Sequence, residues 1–259
     1  MRHIWLVSAA IILLLVLGNV ASVAWHWGRP ILIRDPLAGF PRVFLWAWER
    51  PENLEFLDPA EAGVAVLAKT LVLSRTSISV RPRLQPVELP PGITTIAVVR
   101  IECSPEIPAE NVRREAVRQI VELASRSSVG IQIDFDARAS QRPFYRALLS
   151  DVRNELPPGE KLSMTALASW CIYDDWISDL PVDEAVPMLF RLGPGEREVR
   201  QYLAMGDDFR AARTRYSVGI STDELPVKPV GGRRVYVFSP RPWTRDSVNA
   251  ALGYVRELR

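Results

Sequence analysis

Histidine is nearly absent from this chain of 259 residues: the two that occur, His3 and His26, both precede residue 30. Everything downstream therefore has no Ser-His-Asp triad and no His-ligated catalytic zinc, and no metal site is expected. Two cysteines cannot build a disulfide framework. Charge is also short of any excess, with 32 basic against 30 acidic side chains and a net +2. That balance is no footprint for nucleic acid. No glycine-rich turn follows an early strand, so the dinucleotide fingerprint is missing, and with it any expected cofactor. Fourteen Gly and 21 Pro in no fixed period exclude collagen-like and coiled-coil rods, and 48% hydrophobic residues exclude a disordered chain.

What is present begins with an amino terminus of different material. No Asp, Glu, Lys or Arg occurs from His3 to Gly28. Arg2 precedes the apolar run Ile4 to Leu17, and Ala21-Ser22-Val23-Ala24 follows it. A basic start, an apolar stretch and small residues at a cleavage position fit a secretory signal peptide. Counted on through Trp27, the run reaches the ~20 residues that span a bilayer, with Trp25 and Trp27 placed as an interfacial belt. Residues 1–29 are expected as signal or membrane anchor, 30–40 as a linker and 41–259 as the exported domain.

In that domain, eight short apolar runs alternate with polar and helical stretches. They are Val43–Trp48, Val64–Leu73, Ile93–Ile101, Val129–Phe135, Leu162–Trp170, Ala185–Leu192, Tyr216–Ile220 and Arg234–Phe238. Runs such as GITTIAVVRI and VYVF are apolar on both faces, as strands of a covered parallel sheet are. Amphipathic helices are expected over Ala109–Arg126, Pro143–Leu156 and from Thr244 to Val255, with weaker ones at Trp176–Leu180 and Glu196–Met205. Eight strands with interleaved helices predict an α/β fold of the (β/α)8 barrel type. It is expected to be irregular, because the proline-broken stretch Arg75–Gly92 fits no helix. A doubly wound open sheet is the alternative.

Barrels of this kind carry function at the carboxyl ends of their strands. Here those ends hold Trp46-Ala47-Trp48-Glu49-Arg50, Arg100-Ile101-Glu102-Cys103, Gln132-Ile133-Asp134-Phe135-Asp136, Ser169-Trp170, Ser221 to Glu224 and Ser239 to Trp243. Carboxylates and indoles on one rim suit carbohydrate: sugars stack on indoles, and paired carboxyls cleave glycosidic bonds. The sharpest element is the row Gly130, Gln132, Asp134 and Asp136, which alternation puts on one strand face, the barrel interior. Buried acids side by side repel, which keeps one protonated as a general acid. Asp136 is the candidate acid and Asp134 its electrostatic partner, with Glu49 or Glu102 as a further carboxylate. Trp48, Arg100, Gln132, Trp170 and Trp243 are candidate substrate contacts. A structural alternative pairs Asp134 with Arg100 and assigns Trp170 and Trp243 to the core.

The run VGIQIDFDA resembles the fourth-strand signature D-G-x-D-x-D-x-E of family 18 glycoside hydrolases, the chitinases and their relatives. Gly130 and Asp134 match, Gln132 replaces the first inner aspartate, and Asp136 stands where that family has its acid glutamate. Pro187-Met188-Leu189-Phe190 and Trp243 resemble its sixth- and last-strand elements, although Phe190 lacks the hydroxyl that orients an N-acetyl group. Trp46-x-Trp48-Glu49-Arg50, the Arg81-Pro82-Arg83-Leu84-Gln85-Pro86 run, Gln132-Ile-Asp134-Phe-Asp136 and LSMTALASW together resemble the bacterial family called domain of unknown function 3142. That resemblance implies a glycosidase-like barrel. The expected function is action on, or binding of, a polysaccharide, with the membrane met only through the amino-terminal segment and no nucleic acid partner. A non-catalytic glycan- or envelope-protein-binding barrel is the alternative.

Overall fold

The computed structural model describes residues 35–125, 129–224 and 232–257. The chain divides into two units, Met1–Arg34 and Asp35–Arg259. The first, with the expected signal or anchor of residues 1–29, lies outside the described residues. Among the described residues no helix is long and apolar enough to cross a membrane.

The strands are β1 (Val43–Ala47), β2 (Glu52–Asn53), β3 (Gly63–Leu73), β4 (Ile78–Pro82), β5 (Val87–Glu88), β6 (Thr95–Cys103), β7 (Gly130–Asp134), β8 (Lys161–Leu167), β9 (Glu184–Met188), β10 (Ser217–Ser221) and β11 (Arg234–Phe238). Eight of them, β1, β3 and β6 to β11, pair in parallel around a ring. The ring closes because β1 pairs on one side with β3, Phe44 opposite Gly63, and on the other with β11, Val43 opposite Val235. An open sheet would leave two edges, so this closure decides for the barrel.

Helices α1 (Glu110–Val121), α2 (Arg142–Glu155), α3 (Ala168–Tyr173), α4 (Glu196–Ala204) and α5 (Arg245–Glu257) follow β6, β7, β8, β9 and β11. Each long helix buries the stripe its sequence announces, for example Val112, Ala116, Val117 and Ile120 in α1. Thr244 caps α5, its Oγ1 accepting the Ser247 amide at 3.2 Å. No helix follows β1 or β3. In their place β4 runs antiparallel along β3, and β2 and β5 form a separate two-stranded sheet, so the proline-broken stretch expected to fit no helix is extended chain.

Three expectations are revised. The fifth run ends as strand at Leu167 and coils into α3, since Ala168-Ser169 lacks the β-branched residues of a strand. Trp176–Leu180 forms turns and no helix. Residues 35–40, expected as linker, belong to the folded unit: Leu37 is buried, and Arg234 donates to Asp35 Oδ2 (2.9 Å) and to the carbonyls of Leu37 (2.6 Å) and Pro41 (3.2 Å).

Alternation along the strands sorts two cores. Outward residues such as Ile131, Ile133 and Phe135 pack under the helices, and inward ones such as Phe44, Trp46, Leu67, Val98 and Tyr236 fill the lumen. Gly63 is small for a reason: a Cβ there would lie 2.5 Å from the Phe44 ring and 2.8 Å from the Thr94 carbonyl. Since the carbonyl is backbone and cannot swing away, Gly63→Ala is expected to cost about 1–3 kcal/mol. An unchanged denaturant midpoint would show that the closing strands yield at no cost.

Candidate active site

The lumen is threaded by one hydrogen-bond chain. Trp46 Nε1 donates to Gln132 Oε1 (2.8 Å), Gln132 Nε2 to Ser163 Oγ (3.2 Å), and Ser163 Oγ to Glu184 Oε2 (3.1 Å). Tyr236 donates to the same carboxylate oxygen (2.8 Å), and Arg234 Nη1 pairs with the other (2.7 Å). Every member is buried, and the bonds offset what burial of these groups would otherwise cost. Gln132 is thus a satisfied lumen residue and the floor under what lies above.

Above it, at the carboxyl ends of the strands, a cleft of about 340 Å³ opens. Its walls are Trp46, Trp48, Val98, Arg100, Asp134, Asp136, Thr165, Leu167, Met188, Phe190, Arg191 and Phe238. The volume falls within the ~300–1,000 Å³ of small-molecule sites. Strand alternation explains the set: Trp46 and Trp48, Gln132 and Asp134, and Ser163, Thr165 and Leu167 are the inward residues of their strands, with Asp136 continuing the row past the end of β7.

Asp134 is half-buried, and its Oδ1 accepts a hydrogen bond from Thr165 Oγ1 at 2.8 Å. Burial pushes its carboxyl up to about 6. Asp136 adds to the rise, while the Thr165 bond and the charge of Arg100 oppose it. Asp136 is exposed at the mouth, yet the walls around it also raise its carboxyl, with Arg100 pulling the other way. Arg100 lies in register beside Asp134 on the neighbouring strand, and its one ion pair among the described residues, to Glu102 Oε1, is long at 3.5 Å.

No protein-family model matches this chain, and no curated protein or solved structure does.

Of the residues the sequence singles out, Asp134, Asp136, Arg100 and Trp48 meet in the cleft. Glu102 sits outside it, bound by Arg81. Glu49 faces an adjacent groove with Arg81 and Arg83 and accepts a hydrogen bond from Thr70 at 3.3 Å. Trp170 is buried beneath the helices with its ring edge on Trp176 (5.0 Å), because the turn into α3 carries it out of the lumen. Trp243 is buried too, its indole donating to the Trp46 carbonyl (2.9 Å) and its amide to Glu52 (2.8 Å). Both indoles support the rim from behind, and neither offers a face to the cleft.

A search for carboxylates and indoles passes over Thr165, Phe190, Arg191 and Phe238. Phe190 and Phe238 stack in parallel (5.6 Å, 5°), Trp48 meets Phe238 edge-on (6.3 Å), and the Arg191 guanidinium lies 5.1 Å above the Phe238 ring. The alternation in Leu162-Ser163-Met164-Thr165 carried a usable signal for Thr165, since small polar residues on the inward phase belong to the lumen. Among the described residues no group of three or more His, Cys, Asp or Glu could hold a metal ion. The arrangement has the parts for proton transfer beside an apolar ring face: two carboxyls with raised affinity for protons, a guanidinium next to them, and flat aromatic walls.

Proposed function

We infer that this is an exported, glycoside-hydrolase-like barrel that acts on a polysaccharide through the β7 carboxyls. One observation carries the reading: Asp134, with its carboxyl lifted to about 6, shares an aromatic-walled cleft at the catalytic rim with Asp136. The likeness of the β7 row to family 18 glycoside hydrolases supports it, and so does the wider likeness to domain of unknown function 3142. The apolar run within residues 1–29 supports export, as an anchor or a cleaved signal; the mass of the mature protein distinguishes the two.

In this reading the pair enters the reaction with one proton, which rests on the more buried Asp134 and passes to Asp136 as substrate fills the cleft. Asp136, at the mouth, gives that proton to the glycosidic oxygen as the C–O bond breaks and the bonding electrons leave with the oxygen. Asp134, ionised and held by Thr165, offsets the positive charge growing on the sugar ring. Water then bonds to the anomeric carbon, and its proton returns to Asp136. The Phe190, Phe238 and Trp48 rings take the apolar face of the sugar.

A second reading, glycan binding without turnover, is favoured by one observation. Among the residues lining the cleft, Asp134 and Asp136 are the only acids, so no carboxylate faces them from another strand. A glycan screen on wild type and Asp136→Asn separates the two. The enzyme reading expects binding by both proteins and a fall in turnover of roughly a hundredfold or more in the variant. Binding without turnover in either protein selects the second reading. Binding by neither overturns both.

A further inference from the structure

We propose that the glycan is acidic, its sugars bearing carboxylates that are held in the cleft by Arg191 and Arg100. The proposal rests on the cleft being the glycan site. It starts from the backbone of Arg191, which has φ 51°, the only left-handed non-glycine residue among those described. That conformation is disfavoured for an L-residue, and the structure holds it in place. The Arg191 amide donates to Glu224 Oε2 (2.9 Å), and Arg200 anchors the other oxygen of Glu224 (3.0 Å).

The result is a guanidinium projected over the Phe238 ring at the cleft wall. Among the described residues it has no carboxylate partner, because the nearby Glu224 is occupied by the Arg191 amide and by Arg200. Arg100 makes no close ion pair among the described residues, although its charge acts on Asp134 and Asp136. Its contact with Glu102 is long at 3.5 Å, and Glu102 is already bound closely by Arg81. Around the ring Arg100 on β6 and Arg191 after β9 are three strands apart, so the two guanidiniums approach from different walls with Asp134 on β7 between them. Two permanently charged forks face two acids, and the raised proton affinity of Asp134 leaves the cleft net positive in mild acid. A neutral sugar has no use for an unpaired, ring-backed guanidinium. A planar carboxylate matches its fork bidentately.

The test uses oligogalacturonates and oligomannuronates as probes, the methyl esters of the same chains, a sulfated oligosaccharide and neutral oligosaccharides, with titration calorimetry on the whole chain. The variant is Arg191→Asn, because asparagine suits a left-handed backbone and removes only the guanidinium; its thermal midpoint should match or exceed that of wild type. The expected result is binding of a uronate that is lost on methyl esterification, weakened by added salt, and weakened tenfold or more in Arg191→Asn. Binding of esters or neutral chains as tightly as the free acids overturns the proposal and leaves the glycan reading standing. Equal binding of the sulfated chain overturns the assignment to carboxylate. No binding of any carbohydrate overturns the glycan reading together with the proposal.

Discussion

Arg234→Met is expected to cost about 3–5 kcal/mol of stability and to lower the thermal midpoint by roughly 6–20 °C for a domain of this size. The Arg234 side chain is 4% exposed and that of its partner Glu184 is 0% exposed. Methionine fills the space and supplies no charge. Glu184 then stays buried as a carboxylate with only Tyr236 and Ser163 to donate to it, the Pro41 carbonyl loses the Arg234 donor, and the Leu37 carbonyl keeps only the Phe40 amide. The same change frees Asp35–Pro41 from the barrel, so protease cleavage should appear there first. Glu184→Gln in the Arg234→Met background removes the stranded charge and should recover much of the loss. If single and double variants melt together, the pair contributes packing alone.

The second large effect is a gain. Asp134→Asn is expected to stabilise the protein at pH 8 by up to about 3 kcal/mol, with the difference shrinking toward zero near pH 4. The sign follows from the direction of the shift. Burial lifts the folded-state carboxyl from 3.8 to about 6, so the folded protein binds that proton more tightly than the unfolded chain does. The associated stability is present below the unfolded value, falls as pH rises between the two values, and is absent above about 6. A shift of this size corresponds to about 3 kcal/mol. Asparagine keeps the shape and the oxygen that accepts from Thr165, so the comparison isolates ionisation. Denaturant midpoints at both pH values check it; a gain independent of pH would mean that the carboxylate carries no such penalty. Under the proposed function the same variant loses its electrostatic support of the sugar cation, so a stabler protein should turn over more slowly.

Much of the fold was legible because strands such as β1, β6 and β11 are rich in apolar residues and each long helix carries a clean stripe. Val43, Val64 and Val235 announce strands in any context. What escaped depends on contacts distant in sequence. Leu162 to Trp170 reads as one run, and its end, weak in β-branched residues, coils into α3 where Trp170 packs on Trp176. The site was half legible for the same reason. The Gln132-Asp134-Asp136 row declares itself through polar residues inside an apolar strand. Arg191 declares nothing, because its role depends on a backbone angle and on Glu224, far along the chain. Glu49 and Glu102 illustrate the converse: a strand end fixes the rim, while the pleat and the pairing with Arg81 decide which way the side chain looks.

Ring closure by β1 also bears on how the chain is made. The first barrel strand is apolar throughout, and one of its two hydrogen-bonding edges is satisfied only by β11, the last. Pairing so distant in sequence is slow to form, and during synthesis the Val43–Ala47 edge has no partner until nearly the whole domain has emerged. A chain truncated before Arg234 would present that edge, and the matching edge of β10, to any other strand in reach. Aggregation of such fragments through β1 is therefore the hazard this closed barrel carries, and the completed ring removes it.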